Sequence, residues 1–159
     1  MNERAVAFIL NGQSREVHVP AHHTLLDVLR DDLGALEVKE GCGEGVCGTC
    51  TVLLDDEPVS ACLLLIPRVA GRRITTVRGL GEGETLHPLQ EAFAINGAAQ
   101  CGFCIPGMLL TAYAFLRDHP TPSREEIRRA IAGNLCRCTG YVKIIDAIAR
   151  VADGRAGRG

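Results

Sequence analysis

No apolar stretch of this sequence approaches the length of about 20 residues that a membrane-spanning helix needs. Charge of one sign is missing too. The 17 basic and 19 acidic residues are interspersed and leave a formal net charge of -2, which gives no field to attract nucleic acid or an anionic membrane. The opening Met1-Asn2-Glu3-Arg4 contains neither a twin-arginine pair nor an apolar signal core, so the expected location is cytoplasmic. The five histidines, His18, His22, His23, His87 and His119, have no partnered serine, cysteine or carboxylate pattern. They read as surface or capping residues, and no residue is singled out as catalytic. What remains is a chain of 159 residues, 47% hydrophobic, able to bury one moderate core or two small ones.

Cysteine, by contrast, is plentiful. Eight cysteines stand in two groups. Cys42, Cys47, Cys50 and Cys62 follow the order C-x4-C-x2-C and then a lone cysteine, the plant-ferredoxin spacing for a 2Fe-2S centre. Cys101, Cys104, Cys136 and Cys138 form a second set, C-x2-C followed much later by C-x-C. Four thiolates per cluster use all eight. An even count is also what a disulfide scaffold shows, but a long, signal-free chain in a reducing compartment favours metal ligands.

The first group lies in Gly41-Cys-Gly-Glu-Gly-Val-Cys-Gly-Thr-Cys50. Cluster thiolates carry net negative charge in a partly dry site, and glycines let backbone N–H groups approach them. The same loop matches the dinucleotide fingerprint G-x-G-x-x-G, but strand-like residues 51–54 follow it where that motif demands a helix. Cys62 falls on an expected strand over residues 59–65. The second group pairs Gln100-Cys-Gly-Phe-Cys-Ile-Pro-Gly107 with Asn134-Leu-Cys-Arg-Cys-Thr-Gly-Tyr141. Each pair precedes an expected helix, so two helix N-termini would face one site, and Arg137 adds positive charge. Phe103 and Tyr141 would shield it. Taken alone, this half also fits a structural zinc site.

Periodicity divides the chain. Residues 5–10 and 16–19 alternate around the turn pair Asn11-Gly12. Thr24 can cap a short helix carrying Leu25, Leu26, Leu29 and Leu33, and further strands are expected over 51–54, 59–65 and 73–77. The basic run at residues 68–78 suggests a solvated or subunit-contacting face. Residues 88–96, 108–117, 125–132 and 142–151 carry helical spacing, with a capping box at Ser123-Arg-Glu-Glu126. The expected layout is α+β: a ferredoxin-like domain over 1–78, a linker over 79–84, a helical domain over 85–152, and a frayed tail over 153–159.

These three cysteine motifs together resemble the small iron-sulfur subunit of the xanthine dehydrogenase family of molybdenum hydroxylases, over about residues 4–152. The resemblance implies a β-grasp ferredoxin domain followed by a four-helix domain. It also implies partners: a large subunit holding molybdenum on a pterin cytosine dinucleotide, and a medium subunit holding FAD. Electrons would pass from molybdenum to the C-terminal cluster, then to the N-terminal cluster, then to FAD or another acceptor. Gln100 and Cys138 fall where the family makes hydrogen bonds to the pterin. The alternatives are a free-standing two-cluster ferredoxin and a zinc-binding structural module.

Overall fold

A computed structural model of the chain describes residues 3–156. Strands β1 (Glu3–Leu10) and β2 (Gln13–Pro20) pair antiparallel. Asn11 and Gly12 make the turn, at φ 49° and 80°, the backbone that matches the right-handed twist of the two strands. Val6, Phe8 and Leu10 on β1 and Val17 and Val19 on β2 are buried between exposed neighbours, so one face of the hairpin is core. Strands β3 (Thr51–Leu54) and β4 (Glu57–Ser60) form a second hairpin. β5 (Arg73–Thr75) lies between the hairpins, parallel to β1 and antiparallel to β3, in the order β2-β1-β5-β3-β4.

Thr24 caps α1 (Leu25–Asp27) in a reciprocal capping box with Asp27, and the helix continues as a wider π turn over Val28–Asp32. Leu25, Leu26, Val28 and Leu29 join the core formed by the sheet. This is the expected β-grasp arrangement, strands gathered against one helix. The expected strand over residues 59–65 is shorter than anticipated. β4 ends at Ser60, and Ala61–Leu63 and Ile66–Val69 are single tight turns. The ladder with β3 stops at Thr51 opposite Ser60; beyond it the chain coils so that Cys62 is buried while Leu63 is exposed.

The second half is helical, as expected. α2 (Pro88–Ile95), α3 (Ile105–Asp118), α4 (Arg124–Ala130) and α5 (Val142–Ala156) enclose their own core, with Leu89, Phe93, Met108, Leu116, Ile127, Ile144 and Ile148 in its interior. Ser123 and Glu126 form the anticipated capping box on α4, and His87 with Gln90 caps α2 in the same way. Where a frayed tail is expected over 153–159, α5 runs on through Ala156, and residues 157–159 lie outside the described residues.

Contacts along β3 and its turn help join the halves. All of β3 is buried because it is covered on both faces: Val52 and Leu54 point into the first core, and Leu53 packs with Leu110 and Ala114 of α3. Arg117 of α3 donates to the Asp56 carbonyl (2.7 Å) and to Glu57 (2.8 Å) in the β3–β4 turn. Three arginines of the basic run are ion-paired within the chain, Arg72 to Asp55, Arg73 to Asp56 and Arg78 to Glu37, although exposed pairs of this kind contribute little each.

The chain leaves the sheet through a buried polar knot. Thr76 is fully buried; its N–H donates to Asn11 Oδ1 (2.9 Å), Asn11 Nδ2 donates to Thr76 Oγ1 (2.9 Å), and Thr76 Oγ1 donates to Glu37 (2.8 Å). Replacing Asn11 with alanine leaves the Thr76 N–H unpaired and puts a non-glycine, non-asparagine residue at positive φ, for an expected loss of roughly 2–3 kcal/mol in urea unfolding. Asn11→Gly relieves the backbone but not the hydrogen bonds. A glycine variant as stable as the parent would show that the knot contributes nothing.

Candidate metal centres

The first cysteine group occupies an irregular loop, residues 41–50, between the π turn and β3. Gly43, Gly45 and Gly48 all take positive φ (68°, 75° and 68°), and this folds backbone amides toward sulfur. The Glu44 N–H donates to Cys42 Sγ at 3.3 Å. With the Cys47 thiol and the Val46 and Cys47 amides adding donors, Cys42 is drawn down to about 6. Cys62 lies at the floor and behaves oppositely. Burial first, then the neighbouring Cys50 thiol, pushes it up to about 11. The Thr49 hydroxyl sits 3.1 Å from Cys47 Sγ. Leu63 lies against the loop so tightly that a Cβ on Gly45 would come within 2.2 Å of its Cδ1.

The second group brings Cys101 and Cys104 from the start of α3 together with Cys136 and Cys138 from the segment before α5. Cys138 Sγ is 3.6 Å from Cys101 Sγ, and Cys104 interacts with Cys136. Burial, reinforced by Cys136, pushes Cys104 up to about 12. Burial also pushes Cys136 upward, but the Thr139 hydroxyl (3.1 Å) and nearby amides outweigh it and leave that thiol below its ordinary value. Only one of the two expected helix starts abuts the site. Cys104 is the N-cap of α3, whereas Thr139, Gly140 and Tyr141 separate Cys138 from α5, the last two at φ 62° and 68°. Tyr141 anchors this segment by accepting from the Cys136 N–H (2.8 Å) and donating to the Asn134 carbonyl (3.3 Å).

No disulfide joins any of the eight cysteines. The sulfurs associate in pairs, Cys42 with Cys47, Cys50 with Cys62, Cys101 with Cys138, and Cys104 with Cys136. Two pairs per site is the donor set of a two-iron, two-sulfide group. β3 rather than a helix follows the glycines of the first loop, which removes the helix N-terminus a dinucleotide needs.

Gln100, Cys101 and Cys138 are exposed, as is Arg137. Phe103 is 45% exposed and does not shield its site as anticipated; Tyr141 is half-buried. Sequence reasoning missed the residues that join the two sites. The Leu135 N–H donates to the Cys47 carbonyl (2.8 Å), and Asn134 Nδ2 donates to the Gly48 carbonyl (3.0 Å). Their only signal was position, immediately before Cys136.

Residues 8–69 match the family described as the 2Fe-2S iron-sulfur cluster binding domain, and residues 76–149 match the [2Fe-2S] binding domain family. The second match removes the zinc alternative. The nicotinate dehydrogenase small FeS subunit of Eubacterium barkeri is 46% identical, over 93% of this chain and 94% of that one. The nicotine 6-hydroxylase small subunit of Paenarthrobacter nicotinovorans is 48% identical, over 87% and 84%. The aldehyde oxidoreductase of Megalodesulfovibrio gigas is 46% identical over 87% of this chain, which spans 16% of that longer protein. The crystal structure of quinoline 2-oxidoreductase from Pseudomonas putida 86 superposes with a TM-score of 0.94 at 45% identity, covering 100% of this chain and 99% of that one.

The thiol environments predict an order of reactivity in the reduced chain stripped of metal. Cys42, drawn down to about 6, is largely thiolate at pH 7, and iodoacetamide followed by mass spectrometry should find it alkylated early, more slowly as the pH falls through 6. Cys62 and Cys104, held up at about 11 and 12, should resist until the chain unfolds. Labelling of Cys62 or Cys104 as fast as Cys42 would contradict the geometry.

Proposed function

The chain belongs to the family of small 2Fe-2S subunits of the molybdenum hydroxylases, and from that premise we propose how its residues divide the work. It is an electron-transfer subunit, part of an oxidoreductase and without a substrate-converting site of its own. Each 2Fe-2S centre, when bound, takes up and releases one electron. Cys42, Cys47, Cys50 and Cys62 hold the N-terminal centre, and Cys101, Cys104, Cys136 and Cys138 hold the C-terminal one. The observation that carries this assignment is the pairing of the sulfurs, which supplies two thiolates for each of two irons at both sites. The proposed division is a ferredoxin-like unit over 1–78, a linker over 79–84 and a helical unit over 85–152; its support is that the buried residues of one core come from 6–74 and those of the other from 89–152, with Val77 and Leu80 packed against the second.

The C-terminal site opens outward at Gln100, Cys101 and Cys138. That edge receives a large subunit's molybdenum-pterin cytosine dinucleotide, with Gln100 and Cys138 contacting the pterin. The N-terminal loop, where Val46 and Leu63 are exposed, faces a medium subunit carrying FAD, or another acceptor. Electrons enter at the first edge and leave at the second. The relatives are named for nicotinate, nicotine, aldehyde and quinoline, yet their identities lie close together, at 46%, 48%, 46% and 45%. Such insensitivity to substrate fits a subunit with no pocket for it. No described helix is long and apolar enough to cross a membrane; a cytoplasmic location for the complex is part of the proposal and rests on the sequence alone.

The complex should contain about four iron and four acid-labile sulfides per copy of this chain, with two distinct reduced signals in electron paramagnetic resonance. Cys47→Ser should remove or alter one signal and spare the other, and Cys104→Ser should do the reverse. Loss of both signals from one substitution in a folded chain would break the ligand assignment. Gln100→Ala should slow reduction of the C-terminal centre by substrate, an effect of about 1–3 kcal/mol for one lost hydrogen bond. Unchanged transfer rates would remove Gln100 from the pterin contact.

A further inference from the structure

Between the two cysteine sites the structure places a direct backbone connection. The Leu135 N–H donates to the Cys47 carbonyl at 2.8 Å, and Leu135 is followed by Cys136. One hydrogen bond and one peptide unit therefore link a cysteine of the first site to a cysteine of the second. The Leu135 side chain is 53% exposed, so its burial does not explain the contact; the backbone N–H is what is used. Beside it, Asn134 is only 3% exposed. Its Nδ2 donates to the Gly48 carbonyl (3.0 Å) and lies 3.5 Å from Thr51 Oγ1, which itself donates to the same carbonyl (2.7 Å). An amide buried this deeply costs stability unless its hydrogen bonds are made, and once satisfied it fixes a register that an apolar residue of equal volume would not.

The approach is as close as backbone permits. A Cβ on Gly107 would lie 2.3 Å from the Gly48 carbonyl oxygen, and one on Gly48 would lie 2.4 Å from the Gly133 carbonyl oxygen. From the other side, the Tyr141 hydroxyl holds the Cys136 N–H and the Asn134 carbonyl together. The Asn134 amide and the Leu135 N–H both engage carbonyls of the first loop, not sulfur. Their role concerns the relation between the two sites.

We propose that Asn134 and Leu135 form a positioning bridge, which sets the separation and electronic contact of the two cysteine sites through the Leu135 N–H to Cys47 carbonyl hydrogen bond. The inference rests on the ligand assignment above. The exchange it serves moves one electron, oxidising the centre that gives it up and reducing the one that takes it; no bond forms or breaks and no proton moves.

Three variants of the assembled complex test the bridge. Replacing the Leu135 residue by its α-hydroxy acid exchanges the N–H for an ester oxygen and leaves every side chain in place. Asn134→Leu keeps volume but removes the amide. Gly107→Ala raises helix propensity while pressing a Cβ against the Gly48 carbonyl that Asn134 engages. In each, iron content and both individual resonance signals should persist. The magnetic interaction between the two reduced centres should weaken, and freeze-quench measurement should show electron exchange between them slowed several-fold. An unchanged interaction and exchange rate in all three would reduce the bridge to packing and overturn the proposal. Loss of one centre from the ester variant, which touches no sulfur, would overturn it too, by assigning the contact to cluster retention. Cys47→Ser and Cys136→Ser serve as controls: if both removed the same signal, the ligand assignment would fail instead.

Discussion

Backbone meets backbone where the loop at Gly48 touches α3 at Gly107, and the rest of the structure depends on that approach. No side chain fits between them, so the two halves can be brought together only with their polar groups already paired. Asn134 and Leu135 supply those pairs. The surrounding contacts follow from the same closeness. β3 is wedged between the sheet's own core and α3, which makes a strand from a two-layer domain buried on both faces. Arg117 then closes the far end of the interface against the β3–β4 turn. Each of these is modest alone; together they make a rigid joint of two small cores, neither of which is large by the standards of independent domains.

Local signals made most of the architecture legible. Asn11-Gly12 encodes its hairpin through backbone preference, Ser123 and Glu126 encode the start of α4, and the leucine spacing of residues 25–29 encodes a buried helical face. The cysteine groups were legible for a similar reason, because ligands to one cluster must come from short loops at constrained spacing, apart from the single remote cysteine in the first set. What stayed hidden was non-local. Cys62 was assigned to a strand because Val59 to Leu65 is apolar, but the ladder partner ends at Thr51 and only the fold reveals that. Asn134 and Gly107 carry no spacing signal. Their partners lie at residues 48–51, and the need for an amide or for a missing Cβ arises only when the two segments meet.

The two sites stabilise negative sulfur by different means. The first relies on amides turned inward by glycines at positive φ, which lower Cys42 at the rim while burial raises Cys62 at the floor. The second uses the N-terminus of α3 behind Cys104 and the Thr139 hydroxyl beside Cys136, with Tyr141 holding the segment from behind. Hydrogen bonds to sulfur and solvent exposure are both determinants of cluster potential. Two centres built from such unlike surroundings need not share a potential.

Exposure gives that difference a further consequence. Cys101 and Cys138 are exposed, while the matching members of the first site, Cys42 and Cys47, are half-buried. A centre whose ligands face water has its charge stabilised by solvent; covering the same ligands with a partner removes that solvent and shifts the balance between oxidised and reduced forms. On the proposed assembly, covering the edge at Gln100 would remove that solvent from Cys101 and Cys138, whereas the N-terminal loop carries more of its environment within this chain. Obligate interfaces commonly bury roughly 2,000 Å² or more, ample to enclose so small an edge. Assembly as proposed would thus act on one end of the relay, while the hydrogen bonds from Asn134 and Leu135 to the first loop lie between the two sites, within this chain.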